Sequence, residues 1–347
     1  MSKNSVSEIP YIAEEVLNCI EEKIHSTGNK QLSDEDLLNL NSVYGIVLQR
    51  ALDILEKYPF LETYYTANKA RILKIKMDEG TSQYYFTASM DSGKTLYSLL
   101  KAIQFQECAI FCAMPEGLKL TVEEGKCVQA SAYVPADNFT EYHVKDDVDV
   151  LFKISIAVLT ECLNIFGASE ESSLKMYYRS EGSPLLLVLQ PQSVNNVMTD
   201  CEISTQTADS VLELRDEDAS EVAKLVLKAS AFLGLLADLE RSCDIIELNL
   251  SPDHPHVSIV TYGMQDRSCI DVPKSSEMVQ SFSCEKPVTL KYQLSHIRLI
   301  MKALAVSSKV VLRCSSNGLL LLQLKLEKED QRQMFSEFYI VPLLEEY

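Results

Sequence analysis

Several stretches of the sequence carry residue types that could do chemistry. Ala88 to Thr95, ASMDSGKT, has the spacing of a relaxed phosphate-binding loop between a strand pattern and a helical one. Such a loop needs several glycines so that backbone N–H groups converge on phosphate oxygens. Here Ser89, Met90 and the anionic Asp91 fill it, and an acid repels the ligand. Asp91 or Ser92 is expected instead to cap the helix that follows. Asp146, Asp147 and Asp149 could hold metal ions for phosphodiester cleavage, but two-metal sites gather carboxylates from separated segments, and three acids in one stretch read as a solvated turn. His254 and His256 flank Pro255 with no cysteine or third histidine nearby, which again reads as a polar turn. No catalytic residue, metal site or cofactor is expected. The remaining chemistry is cationic. Lys94 and Lys101 lie seven apart and so share a helix face, and Arg298 and Lys302 lie four apart on the last helix. Such groups either face solvent or attract phosphates without regard to base sequence.

The elements that must carry these residues repeat. From about Tyr84 to Ser204 the chain reads as a strand, a short amphipathic helix, several alternating strands, a second short helix and further strands, and from about Val222 to Pro342 it does so again. The short helices around Leu96 and Leu159 find counterparts around Leu233 and Leu299 at nearly the same displacement. Leu96, Leu99, Leu100 and Ile103 form the apolar face of the first helix, and the second spans about Ile156 to Phe166. Between the copies, Asp209 to Glu221 carries six acids and one arginine, the texture of a solvated connector.

Residues 1–76 do not repeat. Tyr11 to His25 and Ser33 to Tyr58 read as amphipathic helices, the second with Ser33 as N-cap and acids in its first turn, and Leu61 to Lys76 as a hairpin turning near Asn68. With 46% apolar and 24% charged residues, the chain has the composition of an ordinary globular protein. It has no apolar run of about 18 residues and no signal-peptide pattern, so a soluble intracellular protein without membrane contact is expected. The ten cysteines are scattered without CxxC pairs and read as buried free thiols. A net charge of −18 argues against a protein whose whole surface grips nucleic acid, but not against one whose basic groups are confined to an inner wall.

Gly117 to Val134, Ile270 to Lys286, Lys309 to Gln323 and Phe335 to Pro342 resemble, in order and at the right intervals, the Rad-one subunit of the heterotrimeric nine-one-one DNA-damage checkpoint clamp, a relative of the replication sliding clamp. The resemblance implies an α+β sliding-clamp fold of two topologically similar domains, each with antiparallel sheets and two helices, at 77–204 and 221–347, with 205–220 as acidic connector. It implies a nuclear, non-catalytic protein that joins two other clamp subunits, is placed by a clamp loader on double-stranded DNA without sequence preference, and recruits checkpoint and repair proteins. Lys94, Lys101, Arg298 and Lys302 then face the hole. The candidate edges for neighbouring subunits are Asn195 to Ser204, with Val197, Met198, Cys201 and Ile203, and Arg267 to Val272, with Cys269 and Ile270. Val211, Leu212 and Leu214 form the rim of a client-docking groove. Residues 10–76 are similar to the front end of a SWIM-type zinc-finger recombination protein without its zinc motif, and Met77 stands where a clamp subunit would begin. This is either a genuine fusion or two reading frames joined. The alternatives are a metal-dependent 3'-5' exonuclease, an ATPase built on ASMDSGKT, or a recombination adaptor dominated by the N-terminal module.

Overall fold

The computed structural model describes the backbone of residues 61–65 and 71–75, and residues 84–343 apart from 168–169, 194–197, 209–213, 215–218, 240–242, 264–266 and 327–333. Two compact units are present, Met1–Gly80 and Thr81–Tyr347. In the first, β1 (Leu61–Tyr65) and β2 (Arg71–Ile75) make the antiparallel hairpin read at 61–76, with Leu61 opposite Ile75. The two helices read between Tyr11 and Tyr58 lie outside the described residues.

The larger unit contains the duplication. Its first copy runs β3 (Phe86–Met90), α1 (Lys94–Ile103), β4 (Cys108–Met114), β5 (Gly117–Glu124), β6 (Val128–Pro135), β7 (Glu141–Val144), β8 (Val150–Ser155), α2 (Ile156–Leu163), β9 (Ser172–Tyr178), β10 (Leu185–Pro191) and β11 (Thr199–Ile203). After β12 (Thr205–Thr207) the order recurs as β13 (Glu221–Lys228), α3 (Ala229–Asp238), β14 (Ile245–Leu250), β15 (Val257–Tyr262), β16 (Arg267–Val272), β17 (Val279–Cys284), β18 (Val288–Gln293), α4 (Leu294–Arg298), α5 (Met301–Leu304), β19 (Lys309–Ser315), β20 (Leu320–Leu326) and β21 (Met334–Ile340).

Sheet order explains how the copies join. The first copy has a five-stranded sheet, β11-β10-β9-β3-β7, and a group β8-β4-β5-β6; the second has the corresponding groups β21-β20-β19-β13-β17 and β16-β15-β14-β18. Antiparallel pairing of β6 with β21, from Tyr133 opposite Phe335 to Val128 opposite Ile340, fuses one group of each copy into a ten-stranded sheet that β12 extends beyond β8. Residues 205–207, expected to be plain connector, therefore belong to a strand, and Thr205 Oγ1 donates to the Ser183 carbonyl at 2.8 Å.

Alternation of side chains along the strands places the core. On β6 Val128, Ala130, Ala132 and Val134 are buried, and on β21 Met334, Ser336, Phe338 and Ile340. Helix α1 lies against both strands and so covers the junction, with Leu96, Leu99, Leu100 and Ile103 all but fully buried, each contributing about 1.5–3 kcal/mol. The small Ala130 and Ala132 leave room for the helix. Inside the first copy the two sheets meet through aromatic rings: Phe86 meets Phe111 edge-on at 5.5 Å and Phe152 stacks on Tyr178 at 4.3 Å, while Phe111 and Phe152, neighbours within one sheet, stack at 4.6 Å. The second copy is packed mainly by aliphatic side chains around a cavity of about 30 Å³.

Some local readings change. Helix α1 begins after Gly93 without a side-chain cap, so neither Asp91 nor Ser92 serves; the Gly93 N–H is taken by the Ser172 carbonyl instead. Helix α2 is capped by Ser155, whose Oγ accepts from the Val158 N–H at 3.3 Å, and ends at Leu163 rather than Phe166. Of the nine cysteines described, Cys243 and Cys314 are buried, while Cys127 and Cys269 are exposed, contrary to the expectation of buried thiols throughout. No helix among the described residues is long and apolar enough to cross a membrane.

Candidate assembly edges and inner wall

ASMDSGKT lies across β3 and the start of α1, and β3 pairs antiparallel with both β9 and β7. A phosphate loop belongs to a parallel strand-helix-strand unit, and that context is not built here. Asp146, Asp147 and Asp149 are exposed in the turn between β7 and β8, with Asp147 at φ +58°. The His254 and His256 rings stand 6.1 Å apart in the turn between β14 and β15, and His256 leans on Phe282.

Two of the four cationic residues, Lys101 and Lys302, meet at a seam between the copies. Helix α1 packs against α2 on one side and α5 on the other, and α5 also touches α3. Lys94 and Lys101 are exposed on α1, about 10 Å apart along its axis. Lys302, exposed on α5, donates from Nζ to the carbonyl of Gln104, the residue that ends α1, at 3.0 Å. Lys302 thus ties the second copy to the first beside the last turn of α1, where Lys101 sits. Arg298, half-buried, donates from a terminal nitrogen to the Leu239 carbonyl at the end of α3, also at 3.0 Å. Both cations satisfy carbonyls left over at a helix C-terminus, where the helix dipole favours positive charge. The sequence shows the charges but not this second duty.

Elsewhere the helices are sparing in charge. Helix α3 has no lysine or arginine, and the Arg241 beyond it lies outside the described residues. Val158 on α2 is 42% exposed, Ile165 just after it 48%, and Met198 on the approach to β11 46%. Sequence reasoning named Met198 but missed Val158 and Ile165. Their signal was the composition of IAVLTECLNIF, too apolar all round for a helix with a solvated face.

Both candidate edges are outer strands: β11 borders the five-stranded sheet and β16 the four-stranded one. On β11 the side chains of Thr199, Cys201 and Ile203 turn inward, Ile203 being buried in the chain's own core, while Asp200 and Glu202 turn outward. Cys201 and Ile203 therefore back the edge from inside. Burial and the hydrogen bond with the Cys201 side chain push the Cys162 thiol of α2 up to about 11, so Cys162 meets the edge strand as a neutral thiol. On β16, Ile270 turns inward with Val272, whereas Arg267, Cys269 and Asp271 are exposed. Cys269 Sγ is 3.2 Å from Ser258 Oγ. Val197 lies outside the described residues.

One described residue of the connector, Leu214, lies beside β6 on the face away from the helices. Val211 and Leu212 lie outside the described residues; Leu214 is half-buried, and its N–H points to Gln129 Oε1 of β6 at 3.5 Å. The sheet face there is polar. Thr121 and Ser131 hydroxyls meet at 3.0 Å, Gln323 donates to Glu337 at 2.7 Å, and Arg313 bridges Gln323 at 3.1 Å and Glu221 at 2.7 Å.

Two fused copies, helices aligned along one face, one closed strand junction and two open edges of the same strand types define a sliding-clamp subunit. The solved structure of Proliferating Cellular Nuclear Antigen from Entamoeba histolytica shares this fold, with a TM-score of 0.62 over 75% of this chain and 100% of that one at 15% identity. Residues 85–326 match the family described as Repair protein Rad1/Rec1/Rad17, and the chain belongs to that family. It is 35% identical to the cell cycle checkpoint protein RAD1 of Mus musculus over 269 residues, covering 76% of this chain and 95% of the relative. It is 34% identical to the DNA repair protein Rad1 of Drosophila melanogaster over 264 residues, covering 75% and 94%.

Proposed function

We propose that the chain is one of three different subunits of a ring that encircles double-stranded DNA in the nucleus and serves as a platform for checkpoint and repair proteins. The observation that carries this reading is the internal junction. The first copy's β6 pairs with the second copy's last strand, β21. Their counterparts, β16 and β11, are left open. Two subunits that repeat the β6–β21 pairing between β16 of one and β11 of the next continue the sheet from chain to chain, and a rotation that closes makes a ring. Helices follow the same rule: α1 packs on α5 inside the chain, so α2, with Val158 and Ile165, meets the counterpart of α3 in a neighbour. The checkpoint and DNA repair names of the relatives support the setting.

Nothing need be catalysed, because encirclement holds DNA by topology. Lys94, Lys101 and Lys302, with Arg298 behind them, supply the phosphate-facing charge, and Val211, Leu212 and Leu214 are the residues that client proteins recognise. A clamp loader opens the ring. Co-expression with the two other clamp subunits tests assembly: a three-chain complex is expected, and a stable homotrimer of this chain alone contradicts it. The assembled ring on circular DNA tests the wall. Each lost phosphate contact lowers the salt slope of binding by roughly one. Lys94→Glu with Lys101→Glu is therefore expected to weaken binding to all sequences and flatten that slope, and an unchanged slope in an intact ring removes these lysines from the wall.

A further inference from the structure

The outer face of the four-stranded sheet hides a carboxylate. Glu247, in the middle of β14, is only 8% exposed, although its neighbours Ile246 and Leu248 are the ones that face the core. Withdrawing a carboxylate from water is costly unless donors and cations answer it. Here they do. Asn249 Nδ2 donates to Oε1 at 2.9 Å and the Tyr262 hydroxyl to Oε2 at 2.8 Å, while Thr289 Oγ1 fixes Asn249 through its Oδ1 at 2.6 Å. Burial alone would raise the carboxyl; the Asn249 and Tyr262 hydrogen bonds and the charges of Lys291 and Arg267 outweigh it and hold Glu247 below the ordinary carboxylate value.

The chain of contacts runs to the open edge. Tyr262 stands opposite Arg267 in the β15–β16 ladder, and the guanidinium carbon of Arg267 lies 5.8 Å from the centre of the Tyr262 ring. Arg267 is the exposed first residue of β16. A planar cation held over a ring, with a buried carboxylate behind the ring's hydroxyl, has lost much of the freedom that an exposed arginine ordinarily keeps.

We propose that Arg267, positioned by Tyr262 and Glu247, is the cation through which the β16 edge recognises its neighbour, and that the neighbouring subunit's strand presents a carboxylate to it. This rests on the ring reading above. Charge complementarity supports it from within the chain: the last strand of each copy, the type that pairs with β16 in a ring, carries outward acids, Glu337 on β21 and Asp200 and Glu202 on β11. A neighbour built on the same fold places its own last strand against Arg267.

The test uses the full-length chain and the two partner subunits of its clamp, each titrated separately. Cross-linking through Lys274, just beyond β16, identifies the subunit on that edge. Arg267→Glu is expected to weaken that subunit roughly tenfold, an opposed charge pair having become a repulsive one. Glu247→Gln is expected to weaken it about threefold, and to add nothing on top of Arg267→Glu. Both losses shrink at high salt, and Arg267→Lys restores part of the affinity. The β11-side subunit serves as the control for folding and binds all variants as it binds the wild type. Unchanged β16-side affinity in Arg267→Glu overturns the inference, and so do equal losses at both edges, which would mean that the network only holds the sheet. A wild-type chain that joins neither subunit removes the ring reading, and this inference with it.

Discussion

The closed junction and the open edges use the same strand types with different surfaces. Where β6 meets β21, the face under α1 pairs Ala132 with Ser336, Ala130 with Phe338 and Val128 with Ile340, and the opposite face pairs Tyr133 with Phe335, their rings 5.0 Å apart. The one acid of that row, Glu337, is answered inside the chain by Gln323. On the open edges the outward residues are mostly charged: Asp200 and Glu202 on β11, and Arg267 and Asp271 on either side of Cys269 on β16. A strand whose partner is covalently attached has no need to choose. An open strand must refuse wrong partners, and charge on an edge does that at little cost to the fold.

Substitutions can break this contrast. The largest effect is expected inside the junction: Phe338→Ala removes a fully buried ring facing Ala130 and should destabilise the isolated chain by about 3–5 kcal/mol, measured by denaturant unfolding. An intermediate effect belongs to the open side. Val158→Glu should leave the chain's own unfolding within about 0.5 kcal/mol of wild type, because the side chain is already 42% exposed. Binding of the β11-side subunit should nevertheless fall by about tenfold or more, since a charge would have to be buried without a partner. If the unfolding free energy falls with the affinity, α2 belongs to the core and not to an assembly surface. The smallest effect sharpens the junction further. Ser336 Oγ is buried under α1 with no hydrogen-bond partner, so Ser336→Ala should be neutral or stabilise by up to about 1 kcal/mol.

Much of this was legible in the chain. The duplication and the buried face of α1 follow from apolar periods of 3.6 and 2, which report burial directly, and the bounds of β16 are those of the edge that the resemblance implies. Other features depend on contacts that no period records. Leu299 and Ile300 bond to carbonyls three residues back, so the last helix is interrupted between α4 and α5, whereas its apolar spacing reads as continuous. Gly93 starts α1 because Ser172, far along the chain, takes its N–H. On β11 only the position of α2 decides that Cys201 and Ile203 turn inward and Asp200 outward. Glu247 and Arg267 escaped notice because a lone acid and a lone arginine in strands carry no pattern; their relation exists only across the β14–β15–β16 register.

The ten-stranded sheet has a mechanical consequence. Under a force that spreads the chain, the six residue pairs of β6 and β21 would have to yield together beneath α1, with the Lys302 to Gln104 tie giving way as well, so the middle of the subunit behaves as a stiff beam. Compliance is left to the rims, where β11 offers only five residues to a neighbouring strand. A machine that pries such a ring apart needs no lever inside this protein. It has only to unzip a short clasp between two proteins, and the beam will carry the opening stroke around to the other side.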